Sequence, residues 1–315
     1  MSVLPRRLGV VTALAVAGVI ASPSPAGAEG TLAYVSVPTW QVPFTVTPWR
    51  PYEPGRHVRT IGSDGRHAAR MLNANTQSPA WSPSGSRIAY YRQSPRTGRA
   101  GIWTARADGS HARKLFAPKQ GGADHPTWSP DGKTIAFERA VWRGDDLVTD
   151  IWRIGLNRHA LRRITRTRAE ELMPSWGPDG RIAFAREDAR GDWNLYAVDP
   201  VSRAETQLTA GPERDLDPDW SSDGTRLAFS RETADRIDVW TVTAAGTDPH
   251  RVTASGPEEA ASDPAWGPGD TDIAYAGWGP YGNDHELLVI GAGGGTPRQL
   301  TSNKQDDLAP DWRAP

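Results

Sequence analysis

Cysteine is absent from the 315-residue sequence, which excludes a disulfide framework and all thiolate chemistry. Lysine is scarce beside arginine, a bias that carries no functional reading. No continuous basic tract supplies the phosphate-neutralising charge that unspecific nucleic-acid binding needs, so no nucleic-acid partner is expected. The seven histidines, at 57, 67, 111, 125, 159, 250 and 285, form neither an H-E-x-x-H motif nor a close pair. No G-x-S-x-G nucleophile elbow is present either. Long apolar runs are missing beyond Leu8–Ala21, which is too short and too soon followed by Pro23 and Pro25 to span a bilayer.

That single apolar run reads as part of an export signal. Arg6 and Arg7 precede it, and Ala26-Gly27-Ala28 offers the small residues a signal peptidase requires. Cleavage after Ala28 is expected, dividing the chain into a signal peptide (1–28) and one domain (29–315), secreted or held in the cell envelope. Without a nearby cysteine no bacterial lipid anchor can form, and general secretion is expected over the twin-arginine route. The mature chain carries a net charge of about −3, since both signal-region arginines leave a chain whose formal charge is −1.

What the sequence has in abundance is a repeated turn. His125-Pro-Thr-Trp-Ser-Pro-Asp-Gly-Lys-Thr-Ile-Ala-Phe137 reads as strand, tight turn, strand, and versions recur at Pro79–Tyr90, Pro174–Phe184, Pro218–Phe229 and Pro264–Tyr275. Pro310-Asp311-Trp312 begins another. Six tryptophans (81, 128, 176, 220, 266, 312) mark steps of 47, 48, 44, 46 and 46 residues, the period of a propeller or solenoid. In the turn, proline fixes φ, aspartate bonds its own backbone and glycine accepts positive φ.

Each repeat reads as four strands: A around the marker tryptophan, B as in Ile135-Ala-Phe137, C as in Gly101–Ala105, D as in Arg113–Leu115. The alanine of strand B predicts one tight face between neighbouring repeats, and its large neighbours fill the other. Strand C carries Trp103, Trp152, Tyr196 and Trp240 at one station, most simply as packing residues, with Leu288 and Arg59 departing. Thr31–Ser36, Val58–Asp64 and Ala69–Leu72 align with strands B, C and D of a repeat whose A strand is missing, and the C-terminus supplies an A strand alone. The expected fold is therefore all-β: a six-bladed β-propeller of four-stranded blades, closed by the C-terminal strand A pairing with N-terminal strands B to D.

Strand parity places B-to-C loops and D-to-A links on one side of the ring. Two B-to-C inserts are expected there: 37–57, with Trp40, Phe44, Trp49 and Tyr52 among five prolines, and 141–150, with Trp142, Asp145 and Asp146. Trp40, Trp49, Tyr52, Trp142, Trp278 and Tyr281 are candidate ligand anchors, unless the long insert folds back over the edge or pore. The D-to-A links bring acids to the channel mouth: Asp124-His125, Glu170-Glu171, Asp215 and Asp217, Asp263, and Asp306-Asp307. Of these, Asp124, His125, Glu171, Asp215, Asp217, Asp263 and Asp307 form an expected rim that would favour a cationic group or a divalent ion. The alternative is that such acids bond local backbone and keep the surface soluble.

The pattern P-x-W-S-P-D-G-x-x-I-A-F, followed by I-W or I-Y and a closing L-T (Ile164-Thr165, Leu208-Thr209, Val252-Thr253, Leu300-Thr301), resembles the TolB-like propellers over residues 31–313. The pattern weakens at Gly177, Ser222, Gly267 and Gly269. The resemblance implies an exported propeller that binds protein partners on its channel face. TolB's N-terminal α/β domain has no counterpart here, nor has the hydrolase domain of prolyl-oligopeptidase-like peptidases. The expected function is non-catalytic recognition of a peptide, protein or envelope ligand by a monomer. The alternatives are a metal-dependent hydrolase or lyase at the channel mouth, in which His125 would take part, and carbohydrate binding on the aromatics. No cofactor is expected beyond the divalent ion the rim would suit.

Overall fold

A computed structural model describes residues 30–38, 55–73, 75–94, 96–144, 146–157, 160–256, 259–279 and 282–313. The expected signal segment and most of the 37–57 insert, including Trp40, Trp49 and Tyr52, lie outside these residues, as does Tyr281. The described chain is all-β with propeller-like organisation. No helix of the described residues is long and apolar enough to cross a membrane.

The strands fall into six consecutive sets. Set I combines β24 (Gln305–Arg313) with β1 (Thr31–Pro38), β2 (His57–Gly62) and β3 (Ala69–Arg70). Set II is β4 (Thr76–Trp81), β5 (Arg87–Gln93), β6 (Ala100–Arg106) and β7 (Arg113–Phe116). Set III is β8 (Gly122–Trp128), β9 (Thr134–Arg143), β10 (Asp146–Gly155) and β11 (Arg162–Arg163). Set IV is β12 (Glu171–Trp176), β13 (Ile182–Glu187), β14 (Trp193–Val198) and β15 (Glu205–Gln207). Set V is β16 (Arg214–Trp220), β17 (Arg226–Glu232), β18 (Ile237–Thr243) and β19 (His250–Arg251). Set VI is β20 (Ala260–Trp266), β21 (Asp272–Gly279), β22 (Gly282–Gly291) and β23 (Arg298–Gln299). Single parallel bridges, Trp193 to Arg214 and Ile237 to Ala260, join sets IV, V and VI into one extended sheet.

The chain's two ends share set I. β24 runs antiparallel to β1 from Thr31–Arg313 to Pro38–Gln305. Each set's first strand also contacts that of the next, and β24 contacts both β20 and β4.

Packing between sets follows the alternation of strand B. Ala136 faces set IV in a cluster with Ile151, Ile164, Ile182, Phe184 and Val198. Its neighbours Ile135 and Phe137 turn to set II, against Ala89, Ile102 and Leu115. The same division holds at Ala33, Ala228 and Ala274. Alanine lets one face approach closely while the large residues fill the space behind.

The threonine of the L-T ending has a structural task. Thr165, Thr209, Thr253 and Thr301 each accept, on Oγ1, a backbone N–H from strand C of their set, from Ile151, Leu195, Val239 and Leu287, and Thr76, at the start of β4, does the same for Val58 of set I. The hydroxyl thus continues the ladder where the outer strand has ended.

A second row of bonds stitches successive sets. The N–H of four of the six marker tryptophans meets the side chain one residue before the previous marker; Ala80 and Ala265 leave Trp128 and Trp312 without this bond. Trp81 donates to Asp311 (2.6 Å), Trp176 to Thr127 (3.0 Å), Trp220 to Ser175 (3.4 Å) and Trp266 to Asp219 (2.8 Å). Burial pushes the Asp219 carboxyl up to about 7, against the Trp266 N–H bond that favours its charge. A folded-state value above the ordinary carboxylate range means stability is full below about pH 4 and declines as pH rises through about 7. Asp219→Asn keeps an acceptor for Trp266 without the charge. Urea unfolding at pH 5 and pH 8 should show a smaller stability difference for this variant than for the wild type. An unchanged difference would mean that Asp219 does not titrate in this interval.

Candidate functional site

Every first strand contains a bulge three residues before its tryptophan. The registers shift between Gln77 and Ala80, Asp124 and Thr127, Leu172 and Ser175, Leu216 and Asp219, and Ser262 and Ala265, and β24 is irregular opposite Ala33–Val35. At the bulge a residue takes positive φ: Ser78 (47°), His125 (45°), Met173 (55°), Asp217 (51°), Asp263 (52°) and Ala309 (48°). A non-glycine residue in that region is uncommon, yet here it recurs at one station of six strands, always followed by proline. The bulge re-aims one side chain per set. The links expected to carry the acids are therefore largely strand, and this station selects which of them can converge.

His125, Asp217 and Asp263 do converge, although β8, β16 and β20 are not all adjacent. Asp217 is pushed up to about 7 by burial first and by Asp263 next, with His125 opposing. His125 keeps 37% of its side-chain surface, although protein surrounds it deeply. Burial opposes the charge of His125 most, but Glu138, Asp124 and Asp217 together push it up to about 10. Its Nδ1 lies 3.1 Å from Glu138, which also accepts the Met173 N–H at 2.9 Å. Asp124 accepts bonds from the His125 N–H and from Gln77 Nε2, both 2.7 Å, tying set III to set II. Burial raises its pKa, with His125 opposing. Ser230 Oγ donates to Asp217 and accepts the Asp263 N–H, both at 3.1 Å.

The other expected rim acids are placed differently. Glu171 is fully buried and held by Arg186 at 2.7 Å. Asp215 receives both Nε and an Nη of Arg231, at 2.7 and 2.8 Å. Asp307 is fully buried, accepts Asn303 Nδ2 at 2.6 Å and is pushed up by burial to about 6. These three sit five residues before their tryptophans and support the inner strands, so the converging set is Asp124, His125, Asp217 and Asp263. Among the described residues, no group of three or more His, Asp or Glu is placed to hold a metal ion.

Of the aromatic candidates, Trp142 is 53% exposed and Trp278 is half-buried on β21. The expected insert at 141–150 is a regular extension. β9 and β10 pair without interruption from Thr134–Gly155 to Arg143–Asp146, carrying Trp142 near the tip. β21 and β22 extend similarly, in the sixth set.

Two groups of functional weight escaped the reading of the sequence. One is Glu138, a strand B residue in the slot that holds Tyr91, Ala185 and Ser230 elsewhere. The other is an arginine two residues after the strand B aromatic. Arg92, Arg139, Arg186 and Arg231 lie 4.6, 4.5, 4.5 and 4.9 Å over Trp103, Trp152, Tyr196 and Trp240. Where strand C has Leu288 or Arg59 instead, the arginine is replaced by Gly277 or Ser36. The recurring aromatic-x-Arg in strand B was the available signal.

Comparison with known proteins agrees with this architecture. Residues 56–191 match the family described as the TolB beta propeller domain. An uncharacterised Agrobacterium fabrum protein, Atu1656, is 29% identical over 107 residues, covering 34% of this chain and 30% of that protein. The crystal structure of TolB from Acinetobacter baumannii superposes with a TM-score of 0.73 at 22% identity, over 91% of this chain and 67% of that one. The structure of a TolB homologue, described as putative, from Agrobacterium tumefaciens gives 0.62 at 18% identity, over 90% of both chains.

Proposed function

We propose that this chain, whose residues 56–191 match the TolB beta propeller domain and whose fold superposes on TolB structures, is an exported, monomeric, six-bladed binding protein of that family without catalytic function. In this reading residues 1–28 direct export, residues 29–315 form one propeller, and the shared set I closes the ring. The ligand is a peptide or protein that presents a cationic group to the axial passage. One observation carries the reading: side chains from sets III, V and VI meet at the bulge station, where Asp217 and Asp263 face each other's charge. A low-dielectric passage with an excess of acids focuses negative potential on an incoming cation. The extended hairpins of sets III and VI stand three sets apart, on opposite sides of a six-set ring, with Trp142 and Trp278 as flanking contacts of the hot-spot type. Trp40, Trp49, Tyr52 and Tyr281, named as anchors from the sequence, lie outside the described residues.

Affinity capture from the producer's envelope fraction tests the proposal. Asp217→Asn/Asp263→Asn should retain about tenfold less partner than the wild type, and deletion of 39–54 should also reduce capture. Equal capture by all three proteins would reject this face as the binding surface.

A further inference from the structure

Apart from the converging acids, one arginine-rich stretch surrounds the tip of the β9–β10 hairpin. Residues 143–168 hold seven arginines (143, 153, 158, 162, 163, 166, 168) against three aspartates (145, 146, 150), in a chain whose formal net charge is −1. Part of this charge is internal. Asp150 is fully buried between Arg143 at 3.0 Å and Arg163 at 2.5 Å. Arg166 and Arg168 lie beyond that ion pair, on the link from β11 to β12, and both are exposed. Asp150 attracts Arg166 through space, but among the described residues no carboxylate is bonded to Arg166 or Arg168.

The same link abuts the tip of the β9–β10 hairpin, because Arg143 Nη1 reaches the Thr167 carbonyl at 3.4 Å. One residue away, Trp142 lies on the opposite face of β9 from Arg143, the face that carries Ala136 and Glu138 and is turned toward set IV. Trp142 and Val201 are the exposed large hydrophobic residues among those described. The hairpin tip with Trp142 and the link with two exposed arginines together form a shoulder of set III, and among the described residues no carboxylate is bonded to either guanidinium group.

We propose that this shoulder is a docking site for an acidic polypeptide segment in extended conformation. Guanidinium groups suit carboxylates through paired N–H donors, and tryptophan is the commonest kind of interface anchor. The i, i+2 spacing of Arg166 and Arg168 matches alternate residues of an extended strand, about 7 Å apart. A lone aromatic offers little to a bilayer, where interfacial anchoring draws on several. The adjacent acidic passage repels a polyphosphate backbone.

The test uses the mature protein and a fluorescently labelled peptide of alternating glutamate and threonine, read by anisotropy at low and raised salt. Binding should weaken with salt, fall about tenfold or more in Arg166→Glu/Arg168→Glu, and fall about fivefold in Trp142→Ala. Arg166→Gln/Arg168→Gln, which changes no buried contact, should reproduce the direction should charge reversal impair folding. Arg226→Glu, at the start of β17 in set V, should bind like the wild type. Absence of peptide binding by the wild type, or equal loss in Arg226→Glu, overturns the proposal. So does capture by phosphatidylglycerol vesicles or single-stranded DNA where the peptide fails. The channel reading is tested separately, because Asp217→Asn/Asp263→Asn should leave this peptide's binding intact.

Discussion

Deleting residues 305–315 should abolish the cooperative unfolding transition or lower Tm by at least about 10 °C. The deletion removes β24 from set I and exposes the unpaired backbone groups of β1 along its length. It also takes Asp311 from the Trp81 N–H and Trp312 from the cluster of Leu32, Tyr34, Ile61, Leu287 and Leu300. Loss of several buried hydrogen bonds and one large aromatic amounts to several kcal/mol, and a domain of this size shifts by about 2–4 °C per kcal/mol. Calorimetry of the truncated and intact proteins decides the matter. A transition within 2–3 °C of the intact protein would show that the shared set contributes little, and the closed-ring reading would fall with it.

Asp215→Ala should cost about 3–5 kcal/mol, more than most single substitutions. The carboxylate is 2% exposed and its partner Arg231 is 15% exposed, in a two-pronged contact. Arg231 also stacks on Trp240 and Phe229, so it cannot swing to solvent without abandoning both rings. Removing the acid leaves a buried, unbalanced cation. Asp215→Leu/Arg231→Met removes both charges and should recover most of the loss, because the desolvation cost disappears with the ion pair. Chemical denaturation of the single and double variants provides the comparison. A double variant as unstable as Asp215→Ala would assign the loss to packing instead of charge.

Much of the fold was legible because its signals are local and repeated. The Pro-Asp-Gly turns, the Ile-Ala-Phe strands and the fragments at the two ends fix element order without knowledge of distant contacts. The binding face was only partly legible. Glu171, Asp215 and Asp217 look alike in sequence, but inner-strand geometry sends the first two inward to arginines and turns the third toward Asp263 and His125. The deciding feature is the bulge, whose positive φ falls on serine, histidine, methionine, aspartate and alanine, none of which announces it. Residues 141–150 read as an irregular insert because Trp142-Arg143-Gly144-Asp145-Asp146 breaks the strand pattern. In the structure β9 and β10 stay paired as far as Arg143 and Asp146. Likewise, Glu138 is conspicuous only once His125 is seen beside it.

The outermost strands have a consequence for life at high concentration. β3, β11, β19 and β23 are two residues long, β15 three and β7 four, and a threonine hydroxyl completes the ladder beyond most of them. A rim of such stubs offers a neighbouring molecule no continuous row of amide and carbonyl groups on which to grow. The many strands can therefore coexist at high concentration without templating fibrils.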